Sequence, residues 1–172
     1  MISNIKKILY ASDLSPNSAY VFRYAINSAI KHDADIIILH VFEPIPGAGG
    51  GMLDFYLDEE QRKKIFEEKV SDTMDRIKKR LKLFCEKELK NDPGGAEKVK
   101  SIEVCEGFPA EVILRKADEL DCDAIVLGTH SKGIIANTFL GSTSKRVLRR
   151  TRKPVFIIPL PKGELDITFH DT

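Results

Sequence analysis

The sequence predicts an α/β fold: a single-domain, doubly wound sheet of five parallel strands in the order 3-2-1-4-5, with helices on both faces. Continuous apolar runs, of which 36–39 is the clearest, are typical of strands that are covered on both faces. Segments of helical periodicity separate these runs, and parallel neighbours need such crossover helices. In sheets of this kind, ligands bind beyond the carboxyl ends of the strands, where the strand order reverses.

The first strand and helix are predicted from a short apolar run and a capping signal. The run 8–12 ends at polar Asp13 and indicates a buried strand. Ser15 followed by Pro16 is typical of an N-cap and a first helical position, so we expect the first helix to begin there. Apolar residues then fall on one helical face: Phe22, Ile26, Ala29 and Ile30.

A second strand, a connector and a long helix follow. Residues 34–42 contain the β-branched run and form the second predicted strand. Residues 44–51 are rich in proline and glycine and are expected to form a flexible connector. A helix is then expected from about residue 59 to residue 89. Its apolar positions step by three or four residues and indicate a packed stripe: Phe66, Val70, Met74, Ile77, Leu81 and Phe84.

The second half of the chain continues the alternation of strands and helices. In order, we expect a turn cluster at 91–96, a strand at 99–105, a helix from Pro109, a strand at 124–127, a helix at 144–150 and a strand at 155–158. We interpret residues 1–160 as one α/β domain and residues 161–172 as a polar C-terminal tail.

Composition restricts the class of protein. The chain has 172 residues and a net charge of +1, so broad attraction to nucleic acid or to an anionic membrane is not indicated. No apolar run approaches the length of a membrane span, and no signal-peptide core precedes the first strand, so we expect a cytoplasmic protein. The three cysteines, Cys85, Cys105 and Cys122, are widely spaced, which favours core thiols over a disulfide framework or a zinc site.

The most informative pattern begins where the fourth strand ends. Gly128 stops a β-branched run and opens a loop of small residues that continues to Gly133. Gly141 then precedes three hydroxyl residues, 142–144, and a helical pattern. Glycine lets a backbone approach phosphates, and the amides at a helix start point at anions. Because no Gly-Lys-Ser/Thr triplet closes the loop, the pattern is not a Walker A motif.

Taken together, several segments resemble the universal stress protein family, and the resemblance covers nearly the whole chain. They are the opening strand with its Asp at 6–15, the Leu-His-Val triplet at 39–41, the Gly-Phe-Pro turn at 107–109, the nucleotide loop at 123–130 with 140–142, and the start of the last strand at 153–155. Each is weak alone, but their order is specific. The resemblance implies a small cytoplasmic protein linked to survival under stress, commonly a homodimer joined through its last strand.

The resemblance also implies a site for ATP, which some members of the family bind together with a divalent metal such as Mg²⁺ or Mn²⁺. Asp13 and the backbone of Ala11 and Ser12 would then lie beside the ribose and adenine, and Val41 would contact the adenine face. The remaining implied binding residues approach the ligand from two sides: Leu127, Gly128, His130, Ser131 and Lys132 from one, and Gly141, Ser142, Thr143 and Ser144 from the other.

One position departs from the pattern of the ATP-binding branch. Ser131 stands where that branch has its middle glycine, with Gly133 two residues on. A serine with negative φ can still turn its amide toward a phosphate and adds a hydroxyl donor, whereas a positive φ would strain it. We expect ATP binding to be retained.

Several candidate residues also have a purely structural interpretation. Asp13 could cap the helix that follows it. His130 could be a solvated loop residue, because it has no evident carboxylate or cysteine partner, and Lys132 either reaches a phosphate or faces solvent. His40 ends an apolar run and is expected to be packed or hydrogen-bonded. The basic residues of 145–153 complement a helix C-terminus, so we expect no nucleic-acid partner.

Three functions are consistent with these observations. A regulatory ATP-binding module is favoured, because no apparent nucleophile, base or metal-ligand set accompanies the loop. The alternatives are a non-nucleotide-binding homodimer of the same family and a slow Mg-dependent ATPase. A dinucleotide-binding Rossmann fold is excluded because no glycine fingerprint follows the first strand. A phospho-receiver domain is disfavoured because Asp13 has no acidic neighbour.

The run 155–158 is expected to lie at an edge of the sheet. An exposed apolar edge strand tends to pair with other chains unless it is covered. We therefore expect it to pair with the same strand of a second chain under two-fold symmetry.

Overall fold

The structure, a computed structural model, describes residues 4–15, 17–43, 56–129 and 140–159. Its elements are, in chain order, β1 (Lys7–Ser12), α1 (Ser18–His32), β2 (Asp35–Phe42), α2 (Glu59–Glu88), α3 (Pro93–Lys98), β3 (Val99–Glu106), α4 (Pro109–Glu119), β4 (Ala124–Gly128), α5 (Ser142–Arg150) and β5 (Val155–Ile158). One five-stranded sheet has the order β3-β2-β1-β4-β5, with every pair parallel. The predicted fold and strand order are confirmed. The connector 44–51 and the tail 161–172 lie outside the described residues.

The central strand β1 organises two hydrophobic cores. Its residues Ile8, Leu9 and Tyr10 are no more than 1 % exposed. Because successive side chains of a strand point to opposite faces, Ile8 and Tyr10 pack in the core beneath α1 and α2. Leu9 packs in the second core, beneath α4 and α5. The continuous apolar runs of the sequence follow from this arrangement, since both faces of the strand are covered.

The start of β1 is tied to the start of β4. Oδ2 of Asp123 accepts hydrogen bonds from the backbone amides of Lys6 and Lys7, at 2.7 and 2.9 Å. The Asp123 amide donates in turn to the Lys7 carbonyl at 2.8 Å. The Lys7 ammonium donates to the Leu120 carbonyl at 2.8 Å. These bonds fix the position of β1 relative to β4 along the strand direction, and therefore the position of its carboxyl end.

The first helix begins later than the sequence predicts. α1 starts at Ser18 after Asn17, and no side chain among the described residues caps it. The expected cap, Ser15, lies in the turn before the helix, and the expected first helical residue, Pro16, lies outside the described residues. The Ser15 carbonyl accepts the Ser18 amide at 2.9 Å, which closes a turn before the helix. The buried Ser15 hydroxyl has no hydrogen-bond partner among the described residues, so it does not cap the helix.

The apolar stripe of α2 is buried only toward its C-terminal end. Leu81 and Phe84 are buried. Met74 and Ile77 pack partly against the core, and Phe66 is 43 % exposed. The expectation of core packing is therefore wrong for Phe66. The reason is length: a 30-residue helix extends about 45 Å, whereas the adjacent 8-residue β3 extends about 26 Å.

A short helix, α3, occupies part of the predicted turn cluster. Asp92 caps it by accepting the Gly95 amide at 2.9 Å, and Pro93 occupies the first turn. A Cβ at Gly95 would lie 2.8 Å from Cγ2 of Ile26 in α1 and 2.6 Å from Oδ2 of Asp92. A Cβ at Gly94 would meet Oδ1 of Asp92 at 3.7 Å, an ordinary contact. The close approach of α3 to α1 therefore requires a glycine at position 95.

We predict that Gly95→Ala lowers the free energy of unfolding by about 1–3 kcal/mol, because the added methyl must displace Ile26 or the capping carboxylate. Gly94→Ala is the matched control. It is expected to change the same quantity by less than about 1 kcal/mol, since alanine favours a helix and meets no close contact. Urea unfolding followed by circular dichroism measures both, and equal stabilities of the two variants would contradict the packing argument.

Candidate functional site

A cleft of about 210 Å³ lies at the carboxyl ends of β1 and β4, where the strand order reverses. Residues from three parts of the fold line it. The end of β1 and the start of α1 contribute Tyr10, Ala11, Ser12, Asp13, Ser15, Asn17, Ser18 and Val21. The ends of β2 and β4 and the first turns of α4 contribute Leu39, Val41, Pro109, Ile113, Leu127, Gly128 and Thr129. The start of α5 contributes Gly141, Ser142, Thr143 and Ser144.

The first wall of the cleft is a tight turn between β1 and α1. Leu14 adopts a left-handed backbone conformation with φ of 57°, which costs a residue with a side chain about 1–2 kcal/mol. Its amide donates to Oγ of Ser12 at 3.2 Å. Oδ1 of Asp13 accepts hydrogen bonds from the Ser15 amide at 2.9 Å and from the Ser18 hydroxyl at 2.6 Å. The side chains that flank Leu14 thus hold the strained backbone in place.

The second wall is the N-terminus of α5, which begins at Ser142, earlier than the predicted start at Ser144. Gly141 precedes the helix in an extended conformation, with φ of −66° and ψ of 163°, and no side chain among the described residues caps the helix. The first intrahelical bond runs from the Lys145 amide to the Gly141 carbonyl at 3.0 Å, so the amides of 142–144 precede it. Amides at a helix start favour an anionic partner.

Two hydrogen bonds join this wall to β4. The Ser144 hydroxyl donates to the Gly128 carbonyl at 2.9 Å. The Gly141 amide donates to the Thr129 carbonyl at 2.7 Å. A Cβ at Gly128 would lie 3.1 Å from Cγ2 of Val21, so the strand end also packs closely on α1. The end of β4 and the start of α5 therefore form one hydrogen-bonded unit.

The third wall is apolar. Leu39 and Val41 of β2 face the same side of the sheet as α4, and they line the cleft together with Ile113 of that helix. Pro109 and Leu127 extend the apolar surface. Pockets that combine an apolar wall with a few convergent polar groups bind and orient small molecules. This cleft suits a ligand in which an apolar ring is joined to an anionic group.

His40 supports the first wall from the opposite face of the sheet. It is buried, and its Nδ1 lies 2.8 Å from the carbonyl oxygen of Ser12. Because a carbonyl only accepts, Nδ1 carries a hydrogen and donates. Burial lowers the pKa of His40 and Arg80 lowers it further, whereas the Ser12 carbonyl and Asp13 act in the opposite direction. The expectation that His40 is packed and hydrogen-bonded is confirmed.

The structure brings most of the predicted binding residues into this cleft. They are Ala11, Ser12, Asp13, Val41, Leu127, Gly128, Gly141, Ser142, Thr143 and Ser144. The other three, His130, Ser131 and Lys132, lie outside the described residues. The lining residues that sequence reasoning missed include Ser15, Asn17, Ser18, Pro109 and Ile113. These residues could have been predicted from the topology, because α1, α4 and α5 all begin at the same edge of the sheet.

Neither a metal centre nor a reactive thiol is found among the described residues. No group of three or more His, Cys, Asp or Glu side chains in the described ranges could hold a metal ion. Burial raises the pKa of Cys85 to about 12 and that of Cys122 to about 11, and it also raises the pKa of half-buried Cys105. Within the same ranges, no helix has both the length and the apolar character that crossing a membrane requires.

Comparison with known sequences identifies the family. Residues 4–159 match the sequence model of the Universal stress protein family. The chain belongs to this family. The match includes every strand of the sheet and all three walls of the cleft. The predicted family is therefore confirmed, whereas assignment to its ATP-binding branch stays a prediction.

Other universal stress proteins are similar to this chain over most of their length. Universal stress protein MJ0531 of Methanocaldococcus jannaschii is 28 % identical over 159 residues, which cover 92 % of this chain and 85 % of that protein. The solved structure of the hypothetical protein MJ0577 has a TM-score of 0.64 at 24 % identity and covers 94 % of this chain and 100 % of that chain. A universal stress protein in complex with cAMP has a TM-score of 0.55 at 22 % identity, with coverages of 91 % and 98 %. These structural likenesses show a shared fold.

We predict that Asp13→Ala lowers the free energy of unfolding by about 1–3 kcal/mol, because the Ser15 amide and the Ser18 hydroxyl lose their acceptor beside the strained Leu14. Asp13→Asn keeps an oxygen at the Oδ1 position and is expected to cost less than about 1 kcal/mol. Urea unfolding compares the two variants. If both lose the same stability, the hydrogen-bond acceptor is not what holds the turn.

Proposed function

We propose that this universal stress protein binds an adenine nucleotide, with ATP as the favoured ligand, in the cleft between the β1–α1 turn and α5. The observation that carries the proposal is the open N-terminus of α5, whose first turn lines the cleft with no capping side chain among the described residues. A phosphate would satisfy these amides through charge-assisted hydrogen bonds. The hydroxyls of Ser142 and Thr143 offer further donors.

The other two walls support an adenosine group. Leu39, Val41 and Ile113 provide an apolar surface on which a base can pack. Asp13 uses Oδ1 for the turn, and its Oδ2 is proposed to accept a ribose hydroxyl. The relative in complex with cAMP supports an adenine nucleotide as the ligand class, because cAMP combines the same base and sugar with a phosphate.

Residues outside the described ranges would complete the site. Gly128, Ser131 and Lys132 are proposed to hold the phosphates from the side opposite α5, and His130 is proposed to contribute to the same site. A Mg²⁺ or Mn²⁺ ion would arrive with the nucleotide, since Mg²⁺ is commonly held by substrate phosphates and water rather than by an all-protein cage.

We propose a cytoplasmic regulatory module rather than an efficient enzyme. Phosphoryl transfer depends on positioning, positive charge and a group that orients the attacking nucleophile. Among the described lining residues, Asp13 is the only carboxylate, and its Oδ1 already holds the Ser15 amide. Turnover is therefore expected to be slow at most. Bound nucleotide would act by changing a loop or a dimer surface that a partner protein recognises.

We predict that Ser142→Pro weakens MgATP binding about tenfold or more while α5 stays intact, because a hydrogen bond to a charged group contributes about 1.5–3 kcal/mol. Proline is favoured at the first position of a helix, and Gly141 already has the extended backbone that a following proline requires. The substitution thus removes one amide donor with little effect on the helix. Isothermal titration calorimetry measures the dissociation constant, and circular dichroism checks the fold.

Ser142→Ala is the matched control, because it removes the hydroxyl and keeps the amide. It is expected to retain more affinity for MgATP than Ser142→Pro.

Mass spectrometry of small molecules released from the denatured wild type tests for co-purified ATP. Absence of both heat and thermal shift at millimolar MgATP would overturn the nucleotide proposal. Phosphate release at ordinary enzyme rates, lost in Asp13→Ala, would replace the regulatory module by a hydrolase.

We also propose that two chains associate through β5. This strand lies at an edge of the sheet, pairs with β4 on one side and is half-buried. Size-exclusion chromatography with light scattering is expected to give twice the mass of one chain at micromolar concentration. Val155→Lys is expected to give a monomer because lysine disfavours edge pairing, whereas Leu148→Lys on the exposed side of α5 should not. A monomeric wild type would contradict the proposal.

A further inference from the structure

The imidazole of His40 reaches the ligand-facing turn from the other side of the sheet. On β2, Leu39 and Val41 line the cleft, so His40 between them faces the α2 side. From there its Nδ1–H donates to the Ser12 carbonyl at 2.8 Å. Ser12 and His40 form the last register pair between β1 and β2. The His40 side chain therefore adds a hydrogen bond between β1 and β2 at their last paired residues.

The turn that this bond anchors is strained and lines the cleft. Leu14 has a φ of 57°, and a costly conformation of this kind persists only where the surrounding structure determines it. Two hydrogen bonds lie within the turn itself, from the Leu14 amide to Ser12 Oγ and from the Ser15 amide to Asp13 Oδ1. The His40 bond fixes the Ser12 end of the turn to the neighbouring strand.

We propose that His40 is a positioning residue for the cleft: by holding the Ser12 carbonyl, it fixes the strained 12–15 turn in the orientation that presents Asp13 to the ligand. The imidazole does this without lying among the residues that line the cleft. The effect on ligand affinity rests on the proposed nucleotide site, whereas the effect on the turn does not.

Amide hydrogen exchange, followed by NMR on the full chain without nucleotide, tests the effect on the turn. His40→Leu removes the donor at similar side-chain size. It is expected to speed exchange of the Leu14 and Ser15 amides about five- to tenfold relative to the Leu9 amide in the sheet centre, the factor expected for one hydrogen bond. In His40→Asn, the side-chain amide nitrogen lies two bonds from Cβ, as Nδ1 of histidine does, so it can donate to the same carbonyl. This variant is expected to restore the wild-type ratio of exchange rates to within about twofold.

Calorimetry on the same variants tests the effect on the ligand. The MgATP dissociation constant is expected to rise about five- to tenfold in His40→Leu and to recover in His40→Asn. Ile38→Val is the control for packing, because Ile38 lies on the same face of β2 in the core beneath α1 and α2. It should lower global stability and leave both the exchange ratio and the dissociation constant unchanged.

The outcomes separate the two proposals. An unchanged exchange ratio in His40→Leu, or equal effects in His40→Leu and His40→Asn, overturns the positioning role. A wild type that does not bind MgATP overturns the nucleotide site, while the exchange ratio still decides the role of His40. Should His40→Leu fail to fold, His40→Gln replaces it. Its amide lies one bond further from Cβ, and faster exchange than in His40→Asn supports the proposal, whereas equal exchange overturns it.

Discussion

The burial of β1 between two parallel neighbours is the constraint on which the rest of the structure depends. β2 and β4 pair with opposite edges of β1, both in parallel register. Parallel pairing requires crossovers, and here the crossover through α1 covers one face of the sheet and that through α5 covers the other. The segments that follow β1 and β4 therefore diverge, and the cleft opens between them. Topology sets the place of the cleft, and the residues at the strand ends set its chemistry.

The two polar walls of the cleft differ in whether their hydrogen-bonding groups already have partners within the protein. In the β1–α1 turn, Ser12, Asp13 and Ser18 satisfy one another and the backbone, and these bonds offset the left-handed strain at Leu14. At the start of α5, the first-turn amides line the cleft with no capping side chain among the described residues. The backbone of the first wall is thus fixed before a ligand arrives, although the buried Ser15 hydroxyl has no partner among the described residues. The second wall keeps its donors for the ligand. This combination favours a preorganised binding site.

The strands and most helices could be predicted because their signals are local. Runs such as 36–39 are apolar throughout, and periodicity marked α2 to within a residue. Errors arose where distant contacts override local preference. The Ser15 hydroxyl makes no capping bond among the described residues, and α1 begins only at Ser18. The Ser144 hydroxyl, which in sequence could cap α5, instead donates to the Gly128 carbonyl of β4, and α5 begins at Ser142. In the site, Asp13 and the α5 hydroxyls were visible in sequence, but the bond from His40 depends on the register of β1 with β2.

The bonds between Asp123 and the start of β1 also bear on biosynthesis. The Asp123 carboxylate and the Lys7 amide are 116 positions apart, so a ribosome must translate most of the chain before the second edge of the central strand is covered. During that interval an apolar strand of the nascent protein carries an open edge that can join other chains. The N-terminal half is therefore exposed to pairing with other chains until residues 124–128 have been synthesised.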